Sequence, residues 1–166
     1  MTTLPAGYPT EPFAAFDFPK TRRQLAVEDL QVLALIACYG EHFYAVLADG
    51  VDDPEAKALL RRNGQEERGH AHRLLEAITL KGGAPFTQPA DADNPFMAFA
   101  PSTLPLTADL IALLEQGEVD GDLTYQVWAD AEPEAAVDAL LRLNGREETR
   151  HGERVSEVKR RLRAAT

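Results

Sequence analysis

The sequence predicts an all-α protein, a bundle of four long helices built as two antiparallel hairpins joined by a long crossover. Three observations carry that prediction. Tyr44–Leu74 aligns with Tyr125–Val155 at a constant offset of 81, without a gap, and 14 of the 31 positions are identical. Prolines fall only between, or at the first turn of, four long stretches that contain none. A proline-rich segment, residues 84–106, separates the two copies of the repeat. A period of 81 is too long for one solenoid unit and fits a duplicated helical hairpin.

Taken in order, residues 1–20 hold prolines at 5, 9, 12 and 19 with Phe13, Phe16 and Phe18, and are expected as an extended arm whose aromatics pack on the domain or on a partner. Thr21 is the expected N-cap of the first helix, 22–49, with Gln24 completing a capping box, and Gly50 stops it. Asp53-Pro54 supplies a cap and an N1 proline for the second helix, 54–81. The crossover is assigned to 82–107. Helices of about 26 residues are roughly 39 Å long, and about 23 extended residues can run that distance. Thr107 caps the third helix, 108–130, and Glu132-Pro133 opens the fourth, 134–163. Its terminal cations, Lys159 to Arg163, suit a helix C-terminus. The domain division is therefore an arm, 1–20, and a bundle, 21–166. Asn-Gly occurs in mid-helix in both copies, at Asn63-Gly64 and Asn144-Gly145. It marks either a helix break or a place where a neighbouring helix comes close.

At 166 residues the chain is one ordinary domain. Its 17 Lys and Arg against 27 Asp and Glu give a formal charge of −10, which argues against a general nucleic-acid binder. The single cysteine, Cys38, lies in an apolar run and is expected in the core. It allows neither a disulfide framework nor a Cys-x-x-Cys metal site. The first residues lack the basic and apolar regions of a signal peptide, and no uninterrupted apolar run approaches 18 residues. The expectation is a cytoplasmic protein with no membrane contact.

Chemistry is concentrated where the repeat is strongest. LLRRNGQEERGH and LLRLNGREETRH each end in Glu-x-x-His, as Glu67/His70 and Glu148/His151. Residues three apart share a helix face, so each copy aims a carboxylate and an imidazole at one point. On the first helix Glu41 is the inward candidate. On the third, Glu115, Glu118 and Asp122 lie on one stripe. Strict repeat symmetry pairs Glu41 with Asp122, and Glu118 with Ala37. Either Glu41 and Asp122 form a symmetric set, or Glu41 and Glu118 an asymmetric one.

This pattern resembles the ferritin-like di-iron carboxylate superfamily, and within it the rubrerythrin-like group, over roughly residues 21–160. That family takes one Glu from each of the first and third helices and Glu-x-x-His from each of the second and fourth. The resemblance implies a ferritin-like four-helix bundle and a metal set of Glu41, Glu67, His70, Glu118, Asp122, Glu148 and His151. Glu67 and Glu148 would bridge, Glu41 and Glu118 would be terminal, and one histidine would serve each metal. Asp122 enters because rubrerythrin-like proteins carry a second carboxylate on the third helix, with Glu118 the first choice. The spacing departs from the family on one side: Glu118 precedes Glu148 by 30 residues, near the family's value, whereas Glu41 precedes Glu67 by only 26.

Four glutamates and two histidines inside a bundle would carry about four negative charges, at several kcal/mol per uncompensated buried ion. Two divalent cations cancel them. Carboxylate and imidazole donors without thiolate suit two iron ions, and manganese or zinc can occupy the same donors. Tyr44 and Tyr125 sit on the site-facing stripe, either bonded to a ligand carboxylate or acting as redox relays, or else as core residues. Trp128 is expected in the core, His42 and His72 in solvent, and Glu66 and Glu147 outside the ligand shell.

The resemblance implies a rubrerythrin-like di-metal oxidoreductase, a peroxidase or oxidase whose reduced site meets peroxide or dioxygen. Lacking a built-in rubredoxin module, it needs an external electron donor, and a homodimer is expected. Iron storage of the ferritin or bacterioferritin type is the second reading. A bundle with a structural or interaction role is the third, and a hydroxylase acting on an organic substrate completes the range.

Overall fold

A computed structural model describes residues 2–164; Met1, at the head of the expected arm, and residues 165–166, at the end of the expected bundle, lie outside the described residues. Five α-helices are present among them: α1, Pro12–Asp17; α2, Val27–Asp49; α3, Pro54–Leu80; α4, Ala108–Asp130; and α5, Ala135–Ala164. The four long ones form the bundle. α2 packs on α3, α4 on α5, and α3 on α5. The chain is all-helical with the ferritin-like arrangement.

Two caps act where the sequence placed them. Asp53 Oδ1 accepts from Ala56 N at 2.7 Å, and Thr107 Oγ1 accepts from Leu110 N at 3.2 Å. Each such cap contributes about 1 kcal/mol. The first long helix begins later than expected, at Val27 and not at residue 22. The buried carboxylate of Asp29 accepts from Ala26 N at 2.7 Å and pairs with Arg22 Nη1 at 2.7 Å, holding the preceding residues out of the helix. Thr21 instead belongs to a 3-10 turn, Phe18–Thr21, and donates its hydroxyl to Phe18 O.

The arm is not extended throughout. Glu11 caps α1 by accepting from Ala14 N at 2.8 Å, and α1 leads directly into the 3-10 turn. The crossover runs back along α2. Asn94 donates to the Leu35 carbonyl at 2.9 Å, in the first half of that helix, and Leu104 O lies 3.1 Å from where a Cβ on Gly50 would be, at its far end. Arm and crossover share one apolar cluster with α2, in which Ala15, Val32, Leu35, Tyr39 and Phe96 are buried.

Two larger apolar clusters fill opposite ends of the bundle. One gathers Leu30, Leu33, Leu74, Ile78, Trp128 and Leu141, and the other Leu47, Val51, Leu60, Ile111, Val155 and Val158. Each buried Leu, Ile or Val contributes about 1.5–3 kcal/mol. α2 is long and apolar enough to cross a membrane by length and composition, with a mean hydropathy of 1.4, a feature not expected from the uninterrupted runs. Its apolar residues are used inside the bundle, where Leu30, Leu33 and Leu47 are buried.

Candidate metal centre

Between the two apolar ends lies a polar layer. His70 on α3 and His151 on α5 are fully buried. Their rings are nearly parallel, with centroids 5.4 Å apart. Around them stand Glu67, Glu118 and Glu148, whose side chains are 13, 10 and 10 % exposed. The donor atoms form two groups, Glu67/His70/Glu148 and Glu118/Glu148/His151, each with its atoms within 4.8 Å of one another. Glu148 belongs to both.

The histidines face the carboxylates through Nδ1. His70 Nδ1 lies 3.5 Å from both Glu67 and Glu148. His151 Nδ1 lies 3.2 Å from Glu148, 3.5 Å from Glu118 and 3.6 Å from Glu67. Each Nε2 points the other way, across to the opposite helix. His70 Nε2 lies 3.2 Å from Glu147, and His151 Nε2 lies 3.3 Å from Glu66. Arginines hold those two carboxylates: Arg73 bonds Glu147, and Arg154 bonds Glu66 through both terminal nitrogens, at 2.7 and 2.9 Å. The same arginines reach the repeated asparagines, Arg73 to Asn144 at 2.6 Å and Arg154 to Asn63 at 2.9 Å. Every one of these Nε2 and arginine contacts runs between α3 and α5, and every one has its counterpart at the offset of 81.

The repeated glycines resolve in favour of close approach, since α3 and α5 run unbroken through them. A Cβ on Gly64 would lie 3.1 Å from the Glu41 carbonyl and 3.3 Å from Tyr44 Cβ; on Gly145 it would lie 3.1 Å from Tyr125 Cβ. α2 and α4 press on the ligand helices at these points. Gly40 and Gly121 play the same part nearer the centre, where a Cβ would meet the side chains of Glu67 at 3.0 Å and Glu148 at 3.3 Å.

Two of the expected ligands are not brought in. Glu41 pairs with exposed Arg68, one hydrogen bond measuring 3.0 Å. Asp122 accepts from Gln126 at 2.8 Å and Thr149 at 2.5 Å. The two are symmetry mates, as expected, but both lie one helical turn beyond the centre. Position 37, one turn nearer, matches Glu118 in the repeat, and there α2 carries buried Ala37. Tyr44 donates to Glu118, so one tyrosine does meet a ligand-set carboxylate. Tyr125 is buried at the matching place, where the repeat sets Ala37 in the position of Glu118. Glu115 stays outside, bonded to Ser156 at 2.6 Å and to Lys159. Glu66 and Glu147, expected outside the shell, back the histidines. Their signal in the sequence was exact repetition together with Arg73 and Arg154. His72 is exposed, His42 half-buried, and both lie away from the centre.

The charges in this layer are strongly coupled. Burial draws His70 toward neutrality, yet the carboxylates of Glu148 and Glu67 prevail and lift its pKa to about 9. His151 is likewise opposed by burial, and Glu118, Glu148 and Glu66 carry it to about 12. Burial, then repulsion from Glu67, pushes Glu148 up to about 8. Burial also works against ionised Glu118, but His151 keeps it below the usual carboxylate value.

The donor set fits divalent metal. None of the four ring nitrogens of His70 and His151 makes a hydrogen bond of sound geometry, a shortfall costing about 1–3 kcal/mol for each buried group. Two Nδ1 atoms converging with three carboxylates, two of them buried, are what a pair of cations needs. The Nε2–carboxylate contacts match the way metal-bound imidazoles are oriented from behind.

A cavity of about 580 Å3 opens from this layer between α2 and α4. Glu67, Glu118, Glu148, Tyr44, Tyr125 and Ala37 form its floor, and the rest of its lining is mainly apolar, with Asp17, Lys20 and Asp120 the charged residues there. No curated protein and no solved structure matched the chain. The family model described as rubrerythrin matches residues 37–159. That span runs from Ala37 on α2 to Lys159 on α5 and takes in both Glu-x-x-His pairs, Glu118 and the arginine-backed carboxylates; the chain belongs to the rubrerythrin family.

Proposed function

We propose that the chain is a di-iron oxidoreductase that reacts with peroxide or dioxygen. The observation that carries this reading is the pair of buried histidines, all four ring nitrogens without a sound hydrogen bond, facing buried Glu118 and Glu148 and half-buried Glu67. His70 and Glu67 would hold one ion, His151 and Glu118 the other, and Glu148 reaches both. Iron bound there would supply electrons to an oxygen–oxygen bond, as carboxylate and imidazole donors permit.

The chain's own groups then have definite tasks. Glu147 with Arg73, and Glu66 with Arg154, fix the imidazole orientations so that Nδ1 faces inward. Tyr44 holds Glu118 by donating to it. The apolar ends of the bundle exclude water from the layer on two sides. The cavity leaves one side open to a small oxidant. The only cysteine, Cys38, is buried and donates to Ala34 O at 3.1 Å, so re-reduction falls to an external donor.

Elemental analysis of the purified protein, followed by anaerobic Fe(II) loading and exposure to peroxide, tests the reading. The expected result is close to two irons per chain and a near-ultraviolet absorption band on oxidation. Many irons per chain would indicate storage instead, and no metal with no spectral change would remove the redox reading.

A further inference from the structure

The two halves of the centre differ at one position, and the cavity opens beside it. Glu118 on α4 supplies a carboxylate, and Tyr44 donates to it. At the matching positions of the other half stand Ala37, which offers no acceptor, and Tyr125, whose hydroxyl-bearing ring shares the cavity floor with it. A carboxylate is thus absent from the place where the repeat calls for one.

Charge points the same way. Glu67, Glu118 and Glu148 are the carboxylates of the two donor groups, while Glu66 and Glu147 are already paired with Arg154 and Arg73. Two divalent cations on three carboxylates leave one positive charge in a buried layer, which one bound anion would neutralise. Above the floor the walls are mainly apolar, with Asp17, Lys20 and Asp120 the charged residues among them. Leu33, Ile36, Phe43 and Leu114 line the cavity, and α1 covers part of it with Phe16. Phe13 and Leu113, 62 and 66 % exposed, line its outer part. A volume of about 580 Å3 lies within the range of small-molecule sites, about 300–1,000 Å3.

We propose that this cavity binds a monocarboxylate with an apolar tail, of the fatty-acid class. Its carboxylate takes the place beside Ala37 and its tail runs outward along α2 and α4 toward Leu113. The bound carboxylate acts as the missing fourth one and accepts a hydrogen bond from Tyr125, as Glu118 does from Tyr44. The inference rests on the di-metal reading above for the charge that attracts the head group.

The test titrates the full chain, metal-loaded and metal-free, with laurate, acetate and 1-dodecanol by calorimetry, with metal content measured in parallel. Laurate should bind the loaded chain at least about tenfold more tightly than acetate, than dodecanol, or than laurate binds the metal-free chain. Ala37→Glu supplies a fourth carboxylate from the protein. It should keep its metal and lose laurate affinity by at least about tenfold. Leu113→Asp, at an exposed site that folding tolerates, should weaken laurate severalfold while leaving metal content and the acetate titration unchanged. Laurate binding equal to that of acetate or dodecanol, indifferent to metal, or unaffected by both substitutions overturns the proposal. If the native chain takes up metal and laurate does not bind, this proposal alone fails. If it takes up no metal, the di-metal reading fails and this proposal with it.

Discussion

The first hairpin, α2 and α3, and the second, α4 and α5, agree where they support the histidines and diverge at one central position beside the cavity, Ala37 against Glu118. On α3 and α5 the residues that hold and orient the histidines all match. Asn63, Glu66, Glu67, His70 and Arg73 correspond to Asn144, Glu147, Glu148, His151 and Arg154, and each member of the orienting set reaches the opposite helix. On α2 and α4 the match fails at Ala37 and Glu118, and changes character outside them, where Glu41 pairs with Arg68 but Asp122 with Thr149. The contrast has a packing cause. α3 and α5 face each other, so each residue there is constrained by its mate's partner. α2 and α4 flank a cavity, and a side chain can change there without a facing one having to follow.

The largest effects should come from the histidines. His70→Ala or His151→Ala is expected to lower metal stoichiometry toward one per chain with helical content retained, as read by elemental analysis and circular dichroism. Unchanged stoichiometry in both would contradict the centre described here. Next come the carboxylates behind the histidines. Glu147→Ala should weaken the ion at His70, and Glu66→Ala the ion at His151, by about 10–100-fold in affinity. The effect therefore lands on the opposite hairpin from the mutation. Competitive chelator titration of both variants would show whether it does.

The pH dependence should reverse with metal. Without it, His70 titrates at about 9 and Glu148 at about 8, above their ordinary 6.5 and 4.5. A folded pKa above the unfolded one gives stability that is full below the unfolded value and lost as pH rises through the folded one. The thermal midpoint of the metal-free chain should therefore fall between pH about 4.5 and 9. Loaded protein holds its histidines unprotonated, so its midpoint should rise from about pH 5 to 7 instead. Parallel slopes would detach these groups from the metal.

The smallest effects sharpen the asymmetry outside the centre. Glu41→Ala and Asp122→Ala should each cost no more than about 1 kcal/mol of stability, as partly exposed polar pairs do, with metal content unchanged. Glu118→Ala should reduce occupancy of the His151 position. Loss of metal in the Glu41 or Asp122 variant would bring that carboxylate back into the ligand set.

Much of this was legible in the sequence because the repeat carries helix-scale information. The hairpins, the long crossover, both Glu-x-x-His pairs and the caps at Asp53 and Thr107 follow from spacing and local chemistry. The carboxylate on the first helix did not. Choosing between neighbouring turns of α2 needs its rotation about its own axis, which depends on where Gly40 and Gly64 let it settle against α3. The start of α2 was misplaced for a related reason. Asp29 is a stronger local acceptor for Ala26 than Thr21 could show, since its grip depends on Arg22 and Tyr8 folding back onto it. α1 was missed because six residues carry too little periodicity to separate a helix from a proline-rich arm. The role of Glu66 and Glu147 was written in the exact repetition of a Glu-Glu doublet, but its target lies across the bundle.

The orienting contacts run only between hairpins, and this has a kinetic consequence. Each imidazole takes its backing carboxylate from the other half, so neither hairpin alone presents an oriented histidine. Cations can be gripped fully only after the halves have docked, late on the folding route. Interactions absent from the transition state act on escape from the native state and not on arrival at it. Metal should therefore leave the refolding rate nearly unchanged and slow unfolding, acting as a latch closed behind an assembly that has already formed.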